Sequence, residues 1–226
     1  ALREAWAKPG DQVDVVVIDA SDAAAIDRLV GAHDIVCNGL PYPLSGPVVA
    51  ACAKYRVPGI ELDVIDDGDA LAAEVERADV AYVASCGATP GTTNMLARAA
   101  CDRLDVVDEV HVSFAAFRPL GFSRSTANVA LWDFDPANRQ LRFWRDGAYH
   151  SAAPFSSERV VDFPAPIGRQ SVFGVAHEET QFLPSSLGAR EVHARGCFPP
   201  DVMQMLRGLV GLGLITRELV HVQGQT

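Results

Sequence analysis

The chain has 226 residues, of which 49% are hydrophobic and 21% are charged, as in an ordinary globular protein of one large or two small domains. Its formal net charge of −10 argues against a nucleic-acid or anionic-membrane partner, because both need clustered Lys and Arg. The apolar runs are also too short to span a bilayer. A small molecule or another protein is therefore the expected partner.

The cysteines predict a reducing compartment. They lie at wide spacings, without a C-x-x-C pair, and mostly inside apolar runs, at Cys37, Cys52, Cys86, Cys101 and Cys197. We expect buried free thiols and a cytoplasmic protein. The start shows no signal-peptide pattern and opens inside a helical pattern, so we expect further residues upstream of Ala1.

The first part of the chain alternates strands and helices. The predicted strands are residues 12–19, 34–40, 57–64 and 80–86, and the predicted helices run from Ser21 to about residue 30, over 47–55 and over 66–77. Continuous Val and Ile runs favour parallel strands buried on both faces. This alternation predicts a doubly wound α/β sheet whose strands all end at one edge, where a ligand crevice should lie.

The stretch 80–104 has the pattern of a ligand-binding corner in α/β enzymes. A strand ends at Gly87, a turn with Pro90-Gly91 follows, and a helix begins after it. We expect Thr92 or Thr93 to cap that helix. One helix face is predicted to pack inward, formed by Met95, Leu96, Ala99 and Ala100. Such a corner suits an anion at the helix N-terminus, although a purely structural corner remains open.

After residue 104 the strands are no longer separated by regular helices. They are predicted at 109–117, 141–144, 158–163, 172–176 and 190–195, with a short helix at 125–134 and an amphipathic helix at 201–214. Period-two alternation favours an antiparallel sheet. We therefore predict a dinucleotide-binding domain over 1–104, an α+β substrate and dimerisation domain over 105–197, and a C-terminal segment over 198–226 that returns toward the first domain.

Several side chains at the predicted sheet edge can meet a ligand. Asp19 can accept a hydrogen bond from an adenine amino group, whereas Ser21 and Asp22 are expected to cap a helix. Asn38 offers a donor and an acceptor, and Gly39 allows a flat ring to approach the backbone. A plain turn at residues 38–41 remains an equal alternative.

Two further sites carry charge. His177 and Glu178 follow a strand and could serve proton transfer, but neighbours on a strand point to opposite faces. Arg118 could clamp a substrate carboxylate, or be an exposed structural arginine. The other histidines show no metal-ligand spacing, so no metal site is expected.

These motifs together resemble the saccharopine dehydrogenase-like oxidoreductases, including relatives of lysine 6-dehydrogenase and carboxynorspermidine dehydrogenase. The most specific piece is Cys86-Gly87 with Pro90-Gly91 and Asn94, similar to that family's G-x-x-P-G-x-x-N turn. Other short matches are Asp19-Ala20-Ser21-Asp22, Asn38-Gly39-Leu40-Pro41, Leu62-Asp63, Asp162-Phe163-Pro164, His177-Glu178 and Leu183-Pro184. Ala88-Thr89 replaces a larger, often aromatic or acidic, pair, which leaves the substrate open.

The resemblance implies an incomplete Rossmann-type doubly wound parallel sheet with an inserted α+β domain of mostly antiparallel strands, which often forms a homodimer contact. It implies NAD or NADP as cofactor. Carried over by position, the residues lining the cofactor are Asp19, Asn38, Gly39, Leu40 and Pro41, with Gly87, Pro90 and Gly91 at its nicotinamide end. No G-x-G-x-x-G occurs, so that loop is expected before Ala1.

We therefore expect an NAD(P)-dependent oxidoreductase that transfers hydride at a C–N carbon of an amino-acid-like or polyamine-like substrate, in a cleft between two domains. The predicted catalytic and substrate-binding residues are His177, Glu178, Arg118 and Asp63. Without the glycine-rich loop, the chain as given is expected to bind dinucleotide poorly and to be inactive. The alternative is a catalytically silent binding or assembly module with the same fold.

Overall fold

The computed structural model describes residues 13–41, 44–63, 68–117 and 124–216. These residues form two compact units, Ala1–Gly87 and Ala88–Thr226. The structure therefore places the helix that follows Gly91 in the second unit, whereas the predicted domain boundary lay at residue 104. Among the described residues, no helix is both long and apolar enough to cross a membrane.

The first unit holds a parallel sheet, as predicted. Its strands β1 (Val36–Asn38), β2 (Gly59–Glu61) and β3 (Tyr82–Val83) lie in that order, and the helices α1 (Ala23–Val30), α2 (Gly46–Tyr55) and α3 (Gly68–Ala78) alternate with them. The segments after the strands stay paired, because the Asn38 carbonyl accepts from Leu62 N–H at 3.0 Å and that of Glu61 from Cys86 N–H at 2.8 Å. The three carboxyl ends therefore share one edge.

The core of the first unit lies between α1, α2 and the sheet. It is formed by Ile26, Val30, Val48, Ala51, Cys52 and Val57. Asp22 caps α1 by accepting from the N–H groups of Ala24 and Ala25 at 2.9 and 3.2 Å, which confirms the capping predicted for Asp22 but not that predicted for Ser21. Ser21 instead donates to Asp19, which closes the turn before the helix.

The predicted strand at 12–19 is not confirmed. Gln12 lies outside the described residues, and residues 13–19 have no strand structure. Val16 and Val17 are 64% and 92% exposed, not buried on both faces. The Val run raises strand propensity, but a strand also needs a hydrogen-bonded neighbour, and the described residues provide none here.

The second unit contains a six-stranded sheet. The order is β6-β5-β9-β8-β7, with β4 parallel to β9 and every other pairing antiparallel, which confirms a mostly antiparallel second sheet. The strands are β4 (Glu109–Ala115), β5 (Arg142–Arg145), β6 (Ala148–Ser151), β7 (Arg159–Asp162), β8 (Arg169–Gly174) and β9 (Glu191–Cys197). The helices are α4 (Thr92–Cys101), α5 (Arg124–Asp133), α6 (Glu179–Leu187) and α7 (Pro200–Gly211).

Two apolar clusters hold the second unit together. The larger one is built around Phe134, which is fully buried and stacks on Phe155 with ring centroids 4.5 Å apart. The helix α7 adds Val202, Met203 and Leu206 to this cluster. The smaller cluster packs Leu183 of α6 against strands β4 and β9.

The helix α4 differs from its prediction in both cap and buried face. Its N-cap residue is Gly91, which has no side chain to cap it, so the prediction of Thr92 or Thr93 as the cap residue is wrong. Met95 and Leu96 are 73% and 65% exposed, and Ala97 and Cys101 pack inward instead. All five cysteines are free, but Cys37 and Cys86 are exposed rather than buried.

Candidate functional site

The loop that follows β1 is shaped by Asn38. This side chain is 5% exposed, its Nδ2 donates to Glu61 Oε2 at 2.5 Å, and its Oδ1 accepts from the Leu40 N–H at 3.1 Å. Through these two hydrogen bonds, the buried Asn38 side chain fixes the backbone of the loop at Leu40 relative to β2. Among the residues predicted to line the cofactor, Gly39 and Pro41 are exposed and Leu40 is half-buried.

Glu61 links the three parallel strands at this edge. It is fully buried on β2 and accepts from Asn38 of β1 and from the Tyr82 hydroxyl of β3, the latter at 3.2 Å. Burial raises the pKa of Glu61, while the hydrogen bonds from Asn38 and Tyr82 oppose that rise. Sequence analysis did not single out Glu61, because a glutamate next to Ile60 in a predicted strand gives no sign that its carboxylate is buried.

Two aspartates of the first unit that were predicted as site residues, Asp19 and Asp63, make hydrogen bonds within the chain. Asp19 is exposed and accepts from both the N–H and the hydroxyl of Ser21, at 2.9 and 2.7 Å, which lowers its pKa. Asp63 is half-buried, and its carbonyl accepts from the Ser85 N–H at 3.0 Å. Arg118 lies outside the described residues.

The turn between β3 and α4 depends on glycine. Gly91 has φ 125° and ψ −87°, a backbone conformation that other residues rarely adopt. Pro90 is buried, Gly87 is half-buried, and the Thr93 N–H closes the turn on the Ala88 carbonyl at 3.1 Å. This conformation places the side chains of Thr89 and Thr93 at one carboxylate of the second unit.

That carboxylate is Glu179, the first residue of α6, and it is fully buried. Its Oε1 accepts from the hydroxyls of Thr89 and Thr93, both at 2.5 Å, and its Oε2 lies 3.1 Å from His177 Nδ1. The Thr89 hydroxyl also lies 3.0 Å from His177 Nδ1. A carboxylate with three donors has its charge fully balanced in place.

The His177–Glu179 pair is charged at neutral pH. Burial alone would lower the pKa of His177, but the hydrogen bond to Glu179 and the nearby carboxylates raise it to about 9. Burial alone would raise the pKa of Glu179, but His177 and the two threonine hydroxyls lower it to about 2. The imidazole therefore carries its proton and donates it to Glu179.

Asp133 completes this cluster from α5. It is the last residue of that helix and is 2% exposed, and its Oδ2 has no hydrogen-bond partner among the described residues. Burial and the charges of Glu178 and Glu179 raise its pKa to about 7, against the opposing effect of His177. A carboxyl group that titrates near neutrality in a buried cluster marks a candidate functional site.

The cluster corrects the sequence reasoning about His177 and Glu178. We expected them just after a strand and, by strand alternation, facing opposite sides, but Glu178 is the N-cap of α6 and its backbone is already helical. Polar atoms of His177, Glu178 and Glu179 therefore lie within 4.8 Å of one another, a spacing that could also hold a metal ion. Thr89, Thr93 and Asp133 were missed because they lie far from His177 along the chain. Glu179 was missed because the pattern did not show that this carboxylate is the buried partner of the imidazole.

The comparisons with known proteins point to one fold. No protein-family profile matches the chain. Saccharopine dehydrogenase [NADP(+), L-glutamate-forming] of Saccharomyces cerevisiae is 24% identical over 167 residues, which are 65% of this chain and 35% of that protein. The solved apo structure of saccharopine dehydrogenase (L-Glu forming) from the same organism superposes with a TM-score of 0.63 at 14% identity, over 89% of this chain and 48% of that one.

The chain thus has the fold of saccharopine dehydrogenase, and its weak sequence similarity supports the saccharopine dehydrogenase-like family. It spans about a third of the length of the curated relative and about half of the solved one. These similarities do not favour the alternative of a silent module, and they do not distinguish the lysine 6-dehydrogenase or carboxynorspermidine dehydrogenase relatives.

Proposed function

We propose that the protein is an NAD(P)-dependent oxidoreductase of the saccharopine dehydrogenase type, which transfers hydride at a C–N carbon of an amino-acid-like or polyamine-like substrate. The observation that carries this proposal is the shared edge of three parallel strands, since open α/β sheets bind dinucleotides at such edges. The fold and the NADP(+)-dependent relative support it.

The loop after β1 fits a dinucleotide. Gly39 is exposed, and a Cβ added there would meet nothing closer than Leu62 Cδ1 at 3.5 Å, so the backbone is open on its solvent side. Asn38 and Glu61 hold this backbone in place before any ligand arrives. Gly39, Leu40 and Pro41 would contact the cofactor, and Gly87, Pro90 and Gly91 would line its nicotinamide end.

A bound nicotinamide would supply the hydride donor or acceptor. The chain's own residues would handle the proton that must enter or leave the substrate nitrogen. His177, held by Glu179 and Thr89, keeps one proton at Nδ1, and Asp133 can gain or lose one near pH 7. Glu178, Asp63 and Arg118 are proposed for substrate binding, and the whole protein is proposed to be a homodimer.

The test is cofactor binding by the full-length protein and its Gly39→Ala variant. A ligand at a hundred times its Kd stabilises a folded protein by about 2.7 kcal/mol, which is a rise of several degrees in Tm. We expect NADPH or NADH to raise the Tm of the parent protein, and the added methyl group at Gly39 to weaken that rise.

Gly46→Ala is the matched control, because a Cβ there would meet no described atom closer than Leu71 Cδ1 at 3.9 Å and Gly46 is the first residue of α2. It should keep the full cofactor response. If neither dinucleotide raises the Tm at saturation, or if Gly39→Ala responds like the parent protein, the proposal fails.

A further inference from the structure

The cluster in the second unit has more acid than base. Three carboxyl groups, those of Asp133, Glu178 and Glu179, surround the single imidazole of His177. His177 Nδ1 already donates its proton to Glu179 Oε2, 3.1 Å away. The negative charge of Glu179 is thus balanced, and the carboxyl group of Asp133 is not.

Asp133 has the position of a ligand-binding group. Its Oδ2 is buried and makes no hydrogen bond within the described parts of the chain. A buried acceptor without a donor costs about 1–3 kcal/mol, so such a group in a folded protein requires an explanation. Phe134, the next residue, is locked in the apolar core by its contact with Phe155, so Asp133 cannot easily turn toward solvent.

We propose that Asp133 and Glu178 bind a positively charged alkylammonium group of the substrate. This inference rests on the proposed function and assigns the substrate's cationic nitrogen to the carboxyl groups beside His177. Asp133 and Glu179 are 2% and 0% exposed, whereas the side chain of Glu178 is 22% exposed. The ring of Phe114, 5.1 Å from that of His177, provides an apolar surface for the attached carbon chain.

An organic cation fits this cluster better than a metal ion does. Both oxygens of Glu179 are already occupied, Oε1 by two threonine hydroxyls and Oε2 by His177. A metal ion bound by His177 and Glu179 would have to displace these bonds and the imidazole proton. An ammonium group can donate to Asp133 Oδ2 without breaking any of them.

Binding should release a proton. The pKa of Asp133 is raised to about 7 by burial, Glu178 and Glu179, with His177 acting in the opposite direction. A cation beside Asp133 favours its ionised form, so the protonated fraction of the free protein gives up its proton. That fraction is about one half at pH 7 and about nine tenths at pH 6.

The experiment is calorimetric titration of the full-length protein with n-propylammonium chloride, without dinucleotide. Protons released are counted in parallel in weakly buffered solution. The variants are Asp133→Asn and, as matched control, Asp135→Asn, a buried aspartate two residues further along that accepts from the Ala137 N–H at 2.8 Å. Separate titrations with Mn²⁺ and Zn²⁺ alone test the metal alternative.

The proposal predicts saturable binding that Asp133→Asn weakens at least tenfold and Asp135→Asn changes less than twofold, with about half a proton released at pH 7. If Asp133→Asn does not fold, the test uses two other measurements: the proton release by the parent protein, and weaker propylammonium binding by Glu178→Gln. Absent binding, equal affinity in Asp133→Asn, or metal ions that bind and exclude propylammonium would overturn it.

Failure of this inference is distinguishable from failure of the proposed function. A dinucleotide that raises the Tm while propylammonium does not bind overturns the ammonium site alone. Propylammonium binding without any dinucleotide response supports the ammonium site and overturns the oxidoreductase.

Discussion

Replacing Asp133 by asparagine should stabilise the protein at alkaline pH. The substitution keeps the shape of a side chain that is 2% exposed but removes its charge, and Oδ2 has no hydrogen-bond partner within the described ranges. Burying an ionised carboxylate is costly unless donors surround it. A stabilising substitution within a catalytic cluster is the expected sign of a residue kept for activity rather than for folding.

The magnitude follows from the pKa of Asp133, which rises from an ordinary value of 3.8 to about 7. The difference of about 3 pKa units corresponds to about 4 kcal/mol, at 1.36 kcal/mol per unit. That pKa already includes the opposing attraction of the His177 imidazolium. The asparagine amide is itself a polar group that must be buried, so we expect about half of this amount. A gain of about 2 kcal/mol raises the Tm by about 4–8 °C in a chain of this size.

The gain must depend on pH in one direction. Because the folded pKa of Asp133 lies above the unfolded value, the folded state holds the proton more tightly and wild-type stability falls between about pH 3.8 and pH 7. Differential scanning calorimetry of both proteins should therefore give nearly equal Tm values near pH 4 and a higher Tm for Asp133→Asn near pH 8.

Asp135→Asn makes the same chemical change outside the cluster and serves as the control. If Asp133→Asn lowers the Tm near pH 8, or raises it equally at both pH values, Asp133 is not a buried carboxyl whose ionisation is penalised. Asp133 would then not be the unpaired buried carboxylate that the ammonium site requires.

Three further changes test the parts around Asp133. Glu179→Gln should lower the free energy of unfolding by about 3 kcal/mol at pH 7, since the pKa of Glu179 falls from 4.5 to about 2. In urea titrations this difference from the parent protein should shrink as the pH falls from about 4.5 to about 2. By the same assay, Thr93→Val should lower the free energy of unfolding by about 1.5–3 kcal/mol, and Thr93→Ser should lower it far less because serine keeps the hydroxyl donor. Equal losses in the two variants would refute a stabilising role for the hydrogen bond from Thr93 to Glu179. Gly91→Ala should cost about 1–3 kcal/mol because its φ is 125°, and an unchanged Tm would show that the turn adopts another conformation.

The sequence predicted the parallel sheet because its signal is local and repeated. Val and Ile runs at short intervals, each followed by a helix, favour parallel strands joined by right-handed crossovers. The bounds of α1 and α2 came within two residues of the structure for the same reason. The run at Val15–Val17 failed because strand propensity cannot supply a neighbouring strand.

The candidate site was only partly predictable. His177 was found from a charged pair beside a strand, but its partners Thr89 and Asp133 lie 88 and 44 residues away along the chain. The exposed Met95 and Leu96 misled the reading of α4, because apolar side chains at helical spacing look the same whether or not they are covered. Long-range packing, which local patterns do not encode, assembled the Glu179 cluster.

The central claim is hydride transfer at a carbon–nitrogen bond, and isotope transfer tests it most directly. The full-length protein would be incubated with NADPH or NADH deuterated at the transferred position, together with sets of 2-oxo acids, aldehydes and amines, and the products analysed by mass spectrometry. The account predicts deuterium on a carbon bonded to nitrogen in at least one product. Deuterium found exclusively on carbon bonded to oxygen, or no transfer from either dinucleotide, would contradict it.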